Sequence, residues 1–85
     1  MGRAKRWTPA NLSSKLVTVR EHLQLTQEQL VEAMAVGNKV SAKDISKFET
    51  GEREPPLPVL LRYAQLAGVH MEVLVDDNVK LPKKR

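Results

Sequence analysis

Two short patterns, Thr26–Gln29 and Ser41–Asp44, do most to limit what this chain can fold into. In each, a hydroxyl can accept a first-turn amide while a side chain three residues on reaches back to the capping amide, so each pattern starts a helix. Each is flanked by a hydrophobic staple, Leu25 with Leu30 and Val40 with Ile45, which fixes the angle of entry. Upstream, Thr8–Pro9 gives a third start, with Trp7 and Leu12 as its staple. Threonine caps there, and proline lacks the amide that would otherwise go unpaired. A chain with three such starts in a row is helical.

The elements follow from these starts. Leu12, Leu16, Val19 and Leu23 recur on one stripe and predict a first helix over 9–23. Leu30, Ala33 and Met34 form the apolar face of the second, which Gly37 is expected to end. The third begins at Ser41, turns Ile45 and Phe48 inward, and stops at Gly51. Prolines 55, 56 and 58 make "EREPPLP" a loop. The fourth helix fills about 58–67, with Leu57, Leu60, Leu61, Ala64 and Ala67 inward and Gly68 closing it. Val69 and Leu74 flank a weaker start at His70, giving a fifth helix of one to two turns that ends at Asp76–Asp77. The expected fold is all-α, five short helices in one domain over 8–77, between a basic arm (1–7) and a basic tail (78–85).

Composition narrows the function classes. At 85 residues the chain holds one core, and it has no cysteine for disulfides or thiolate metal sites. His22 and His70 are too few for a metal cluster and read better as cap or surface residues. Asp76–Asp77 with Glu72 reads as a solvated helix end, and Met34 and Met71 as core fillers. No nucleophile–base pair and no glycine-rich phosphate loop appears, so no enzyme and no cofactor is expected. No apolar run approaches the roughly 20 residues of a membrane span. The expectation is a soluble cytoplasmic domain.

The net charge of +4 is unevenly spread. Arg3, Lys5 and Arg6 at one end and Lys80, Lys83, Lys84 and Arg85 at the other are half of the 14 basic residues. The middle, 7–79, sets seven basic residues against all 10 acidic ones, a net of −3. Basic ends suit a polyanion, with the arm lying along phosphates or entering the minor groove and the tail doing the same from the other side. They also occur on many small soluble proteins.

The third helix has a distinctive outer side. At about 100° per residue, Ala42, Lys43, Ser46 and Lys47 share one side, with Thr50 a turn on. No acid lies among them. The small residues permit close backbone approach, and the lysines can donate to guanine or to phosphate. The plain alternative is a solvated face with lysines for solubility. Gln27 lies in the first turn of the second helix, where free amides and the helix dipole favour an anion.

The run "VREHLQLTQEQLVEAM … VSAKDISKFETGEREPPLPVLLRYAQLAGVHMEVL" resembles the XRE helix-turn-helix domains, the type found in phage Cro and phage repressors. The resemblance covers roughly residues 12–75 and implies a lambda-repressor-like DNA-binding domain with the third helix in the major groove. It makes Ala42, Lys43, Ser46, Lys47 and Thr50 base-facing candidates. Gln27, Asn38, Lys39, Ser41, Arg3, Lys5 and Arg6 become phosphate candidates. It further implies that Gln27 braces the recognition helix and that Arg20 and Glu49 form a mostly buried ion pair tying the first helix to the third. One departure stands out: the chain between Leu30 and Ile45 is longer than the usual family spacing. The staple at Val40–Ile45 places the excess before Ser41, in "VGNK" or a longer second helix.

The resemblance implies a double-stranded-DNA partner and a bacterial or phage transcriptional regulator, associated with the nucleoid. A homodimer through the fifth helix or "VLVDDNVKLP" and a monomer assembling on DNA both stay open. The rival reading is a protein-interaction module on the same fold, an antitoxin-like or bridging subunit whose acidic middle meets a protein partner.

Overall fold

A computed structural model describes residues 10–81. Five α-helices follow one another: α1 (Leu12–Leu23), α2 (Gln27–Met34), α3 (Ala42–Thr50), α4 (Leu57–Ala67) and α5 (Met71–Val75). A short 3-10 turn, Gly37–Lys39, precedes α3, and no strand occurs among the described residues. The all-α expectation holds. One core joins all five helices through Leu16, Leu30, Met34, Ile45, Phe48, Tyr63 and Leu74, all but fully buried. α1 packs against α3, α4 and α5, and α2 against α3 and α4, so α3 rests on two helices at once. Among the described residues no helix is long and apolar enough to cross a membrane.

Several sequence expectations need correction. α1 starts at Leu12 after Asn11, later than the Thr8–Pro9 signal implies. Thr8, Pro9 and Trp7 lie outside the described residues, as do Arg3, Lys5 and Arg6. The cause is tertiary: the backbone N–H groups of Ala10 and Asn11 donate to the two oxygens of Asp77, at 2.9 and 3.0 Å. Asp77 is therefore no idle solvated residue but an anion at the entrance of α1. Ala10 is thereby fastened beside the segment 76–79.

The other corrections concern faces and ends. α2 ends at Met34 with left-handed Ala35 (φ 55°), not Gly37, as its cap, while Gly37, also left-handed (φ 68°), opens the 3-10 turn. The longer connection is thus taken up by two left-handed residues and not by an extended helix. Ala33 is exposed, and Val31 packs toward the core instead. On α4 the buried face is Val59, Leu60, Tyr63 and Ala64, a rotation away from the expected stripe. Full burial of the large Tyr63 ring sets that rotation and leaves Leu57 66% and Leu61 45% exposed.

The segment after α5 stays on the body of the domain. Lys15, on the buried side of α1 and only 7% exposed, donates to the carbonyls of Val73, Asp76 and Val79 at 2.8, 2.9 and 2.7 Å. A cation at the end of α5 meets carbonyls of its last turn and of the segment beyond it, the Asp76 carbonyl being shared with the Val79 N–H. Leu81 packs against the core beyond it. Lys15 and Asp77 together join both ends of the described chain.

Candidate nucleic-acid interface

α3 is fixed at its start by a reciprocal cap. Ser41 Oγ accepts from the Asp44 N–H at 3.3 Å, and Asp44 Oδ2 accepts from the Ser41 N–H at 3.0 Å. Arg53, from the loop after α3, folds back to donate to Asp44 Oδ1 at 2.9 Å, with its guanidinium 5.8 Å from the Phe48 ring centroid. The Ser41 N–H first, then its hydroxyl and the charges of Arg53 and Lys47, hold the Asp44 carboxyl below its usual range. The first turn of the helix is thus held by residues on both sides of it in sequence. At the far end, Gly51 takes the left-handed conformation (φ 80°) and closes α3 with a bond to the Phe48 carbonyl.

The angle of α3 is set by a three-helix junction at Glu49. Arg20 from α1 pairs with it twice, Nε to Oε2 at 2.6 Å and Nη2 to Oε1 at 3.1 Å. Its remaining nitrogen, Nη1, donates to the Leu25 carbonyl at 3.0 Å, which ties the α1–α2 turn into the same junction. Gln27 from the first turn of α2 donates to Glu49 Oε1 at 3.1 Å. Glu49 is only 7% exposed at its side chain, and Arg20 21%. A fork-on-carboxylate pair has directional bonds, so it fixes orientation as well as proximity. Nearby, Tyr63 Oη is buried with no hydrogen-bond partner among the described residues. Burial, then the Glu49 charge, pushes its phenol well above the usual value.

With Ile45 and Phe48 buried, the opposite side of α3 faces out. It presents Ala42, Lys43, Ser46, Lys47 and Thr50, of which Lys43 and Thr50 are exposed and the other three half-buried. The ammonium groups of Lys43 and Lys47 make no hydrogen bond or ion pair with any described residue. A rigid helix thus carries two uncommitted cations on a face without acids. Among the described residues there is also no group of side chains that could hold a metal ion.

The model of a helix-turn-helix domain family matches residues 11–77 of the chain. The chain belongs to this family. No curated protein matches it. Among solved structures, this helix-turn-helix domain is similar to the P22 c2 repressor protein, solved in complex with synthetic operator 9T. The TM-score is 0.67 at 23% identity, covering 78% of this chain and 94% of that one. At that identity the likeness bears on the fold, which is the repressor-type helix-turn-helix that the sequence resembles.

Within the helix-turn-helix domain the candidate residues divide. Gln27 is half-buried and its amide is committed to Glu49, while Glu28 beside it places a negative charge in the same turn. Ser41 is exposed, but its hydroxyl serves the cap, and Thr50 Oγ1 donates back to the Lys47 carbonyl at 3.2 Å. Lys39 is exposed at the end of the 3-10 turn. Asn38 lies within that turn, but its side chain is outside what the structure describes. Two residues were missed. Lys15 stands between Leu12 and Val19 at core spacing, a signal that could have marked it as a buried cation. Arg53 lies in the loop run "GEREP", and nothing in the spacing ties it to Asp44.

Proposed function

We propose that the protein is a sequence-specific duplex-DNA-binding regulator of transcription that lays α3 in the major groove and works in the cytoplasm at the nucleoid. The observation that carries this is the outward face of α3, with Lys43 and Lys47 unpaired among the described residues and the helix locked at Glu49. Pre-set orientation matters here, because donors that meet base edges must arrive in fixed register. Membership of the helix-turn-helix family and likeness to a repressor solved with its operator support the same reading. Ala42 and Ser46 let the backbone approach, Lys43 and Lys47 donate to base edges, and Lys39 meets the phosphates. Gln27 acts chiefly as a brace; the cap takes the Gln29 N–H, which leaves the N–H groups of Gln27 and Glu28 for a phosphate. The basic arm and tail add sequence-independent attraction.

The test is selection of bound sequences from a random duplex pool. An enriched motif is expected, and a palindrome with half-sites about one turn apart would add a two-fold dimer. A pool without enrichment would defeat the reading.

A further inference from the structure

The longer connection before α3 has built a groove. Ala35, Val36 and Lys39 form one wall, and Pro58, Leu61 and Arg62 of α4 form the other, around a half-open space of about 460 Å³. Leu57 stands one turn before Leu61 on the same side of α4 and extends the apolar strip beyond the groove. These two leucines are the large apolar side chains left exposed among the described residues. Exposed apolar pairs beside a concave wall are a feature of interaction sites more than of solvated surface.

Charge selects the occupant. Lys39 and Arg62 are both exposed on the lining, no acid lies among the lining residues, and Arg62 is turned toward Gln65 by a 3.1 Å bond. A second copy docked two-fold on this face would oppose like charges. The chain's own ends, with Arg3, Lys5 and Arg6 or Lys83, Lys84 and Arg85, carry the same sign and are disfavoured there. We propose that this groove docks an acidic amphipathic helix of a partner protein, its apolar residues on Leu57 and Leu61 and its carboxylates on Lys39 and Arg62. Apolar residues at i and i+4 match the leucine spacing, and flanking glutamates match the two cations.

The experiment uses the full chain without DNA, so its outcome does not depend on the DNA-binding reading. Two short synthetic helical peptides are titrated while amide NMR signals are followed: one with leucine pairs at i, i+4 flanked by glutamates, and its twin with lysines for the glutamates. The acidic peptide should move the signals of Val36, Leu61 and Arg62 saturably. The lysine twin should bind at least about tenfold more weakly, as should L61S and R62E proteins tested with the acidic peptide. Both substitutions are at exposed positions, and retained signal dispersion verifies their fold. Unsaturable shifts, equal binding of the twin, or shifts centred elsewhere would overturn the proposal. So would signals in the groove that move with protein concentration alone, which would make a second copy the occupant.

Discussion

Glu49 Oε1 accepts from both Gln27 Nε2 and Arg20 Nη2, each at 3.1 Å, so one oxygen joins three helices. Two of those helices make the helix-turn-helix, and the third carries the core stripe beneath it. Attraction within such a pair is largely offset by desolvation of both ions, so its main product is geometry. The orientation of α3 therefore depends on a junction that adds little net stability.

Arg20→Met separates those two effects. It leaves a 7%-exposed carboxylate with Gln27 as its remaining donor. The expected loss is about 3 kcal/mol, the low end for a broken buried pair because Arg20 is partly exposed. Adding Glu49→Leu should recover most of it while still weakening sequence preference in DNA binding. Thermal melts and a binding assay on the three variants decide it. Equal melting temperatures throughout would show that the junction is not buried as described.

Lys43→Ala and Lys47→Ala should leave the melting temperature nearly unchanged, since neither ammonium has a hydrogen-bond or ion-pair partner among the described residues. If the outer face of α3 reads DNA, each loss of a base contact should cost about 1–3 kcal/mol and relax preference at one position. Affinity measured on a selected site and a scrambled one distinguishes base from phosphate contact. Unchanged binding in both variants would remove this face from consideration.

Lys15→Met keeps the stem of the side chain but strips three carbonyls of their shared donor. A loss of about 3 kcal/mol is expected, because hydrogen bonds to charged groups are the stronger kind and the site is nearly closed. Amide exchange should quicken first at Asp76 and Val79, whose N–H groups lie in the clamped segment. A variant melting with the parent would mean that solvent replaces the ammonium without loss.

How far the fold could be read in advance follows from the range of the interactions involved. Thr26–Gln29 and Ser41–Asp44 act within one turn, and both reciprocal caps are present in the structure. The start of α1 depends on Asp77, far along the chain, and no local pattern signals it. The face of α4 was misplaced because Leu57, Leu60, Leu61 and Val59 offer two overlapping stripes, and Tyr63 decides between them only through packing. Position along α3 made Lys43 and Lys47 outward from the sequence alone. The return of Arg53 to Asp44 needed the loop's path in space.

Acid should act through Asp77 and Asp44. The N–H groups of Ala10, then Asn11, hold Asp77 below its ordinary value of 3.8, and the Ser41 N–H does the same for Asp44. A carboxyl with a lowered folded pKa stabilises fully above its unfolded value and loses that contribution as pH falls through the folded one. Melting temperature should therefore drop below about pH 4, and less steeply in Asp77→Asn, which cannot lose a charge there. Parallel slopes for parent and variant would show that the Ala10 and Asn11 bonds do not persist in solution.

Tyr63→Phe tests the one buried side-chain nitrogen or oxygen that lacks a partner among the described residues. An unsatisfied buried hydroxyl costs roughly 1–3 kcal/mol, whereas its removal leaves the ring packing of α4 intact. The variant should melt at the parent's temperature or above it. Alkali adds a second readout. Since burial raises the folded pKa of the phenol above 10.0, its contribution is complete below that value and falls as pH rises beyond it. Above about pH 10 the parent should lose stability faster than Tyr63→Phe, which has no proton to release. A variant less stable than the parent by about 1 kcal/mol at neutral pH would instead mean that the hydroxyl is bonded. An internal water linking it to the Arg20–Glu49 junction would then be the partner to look for.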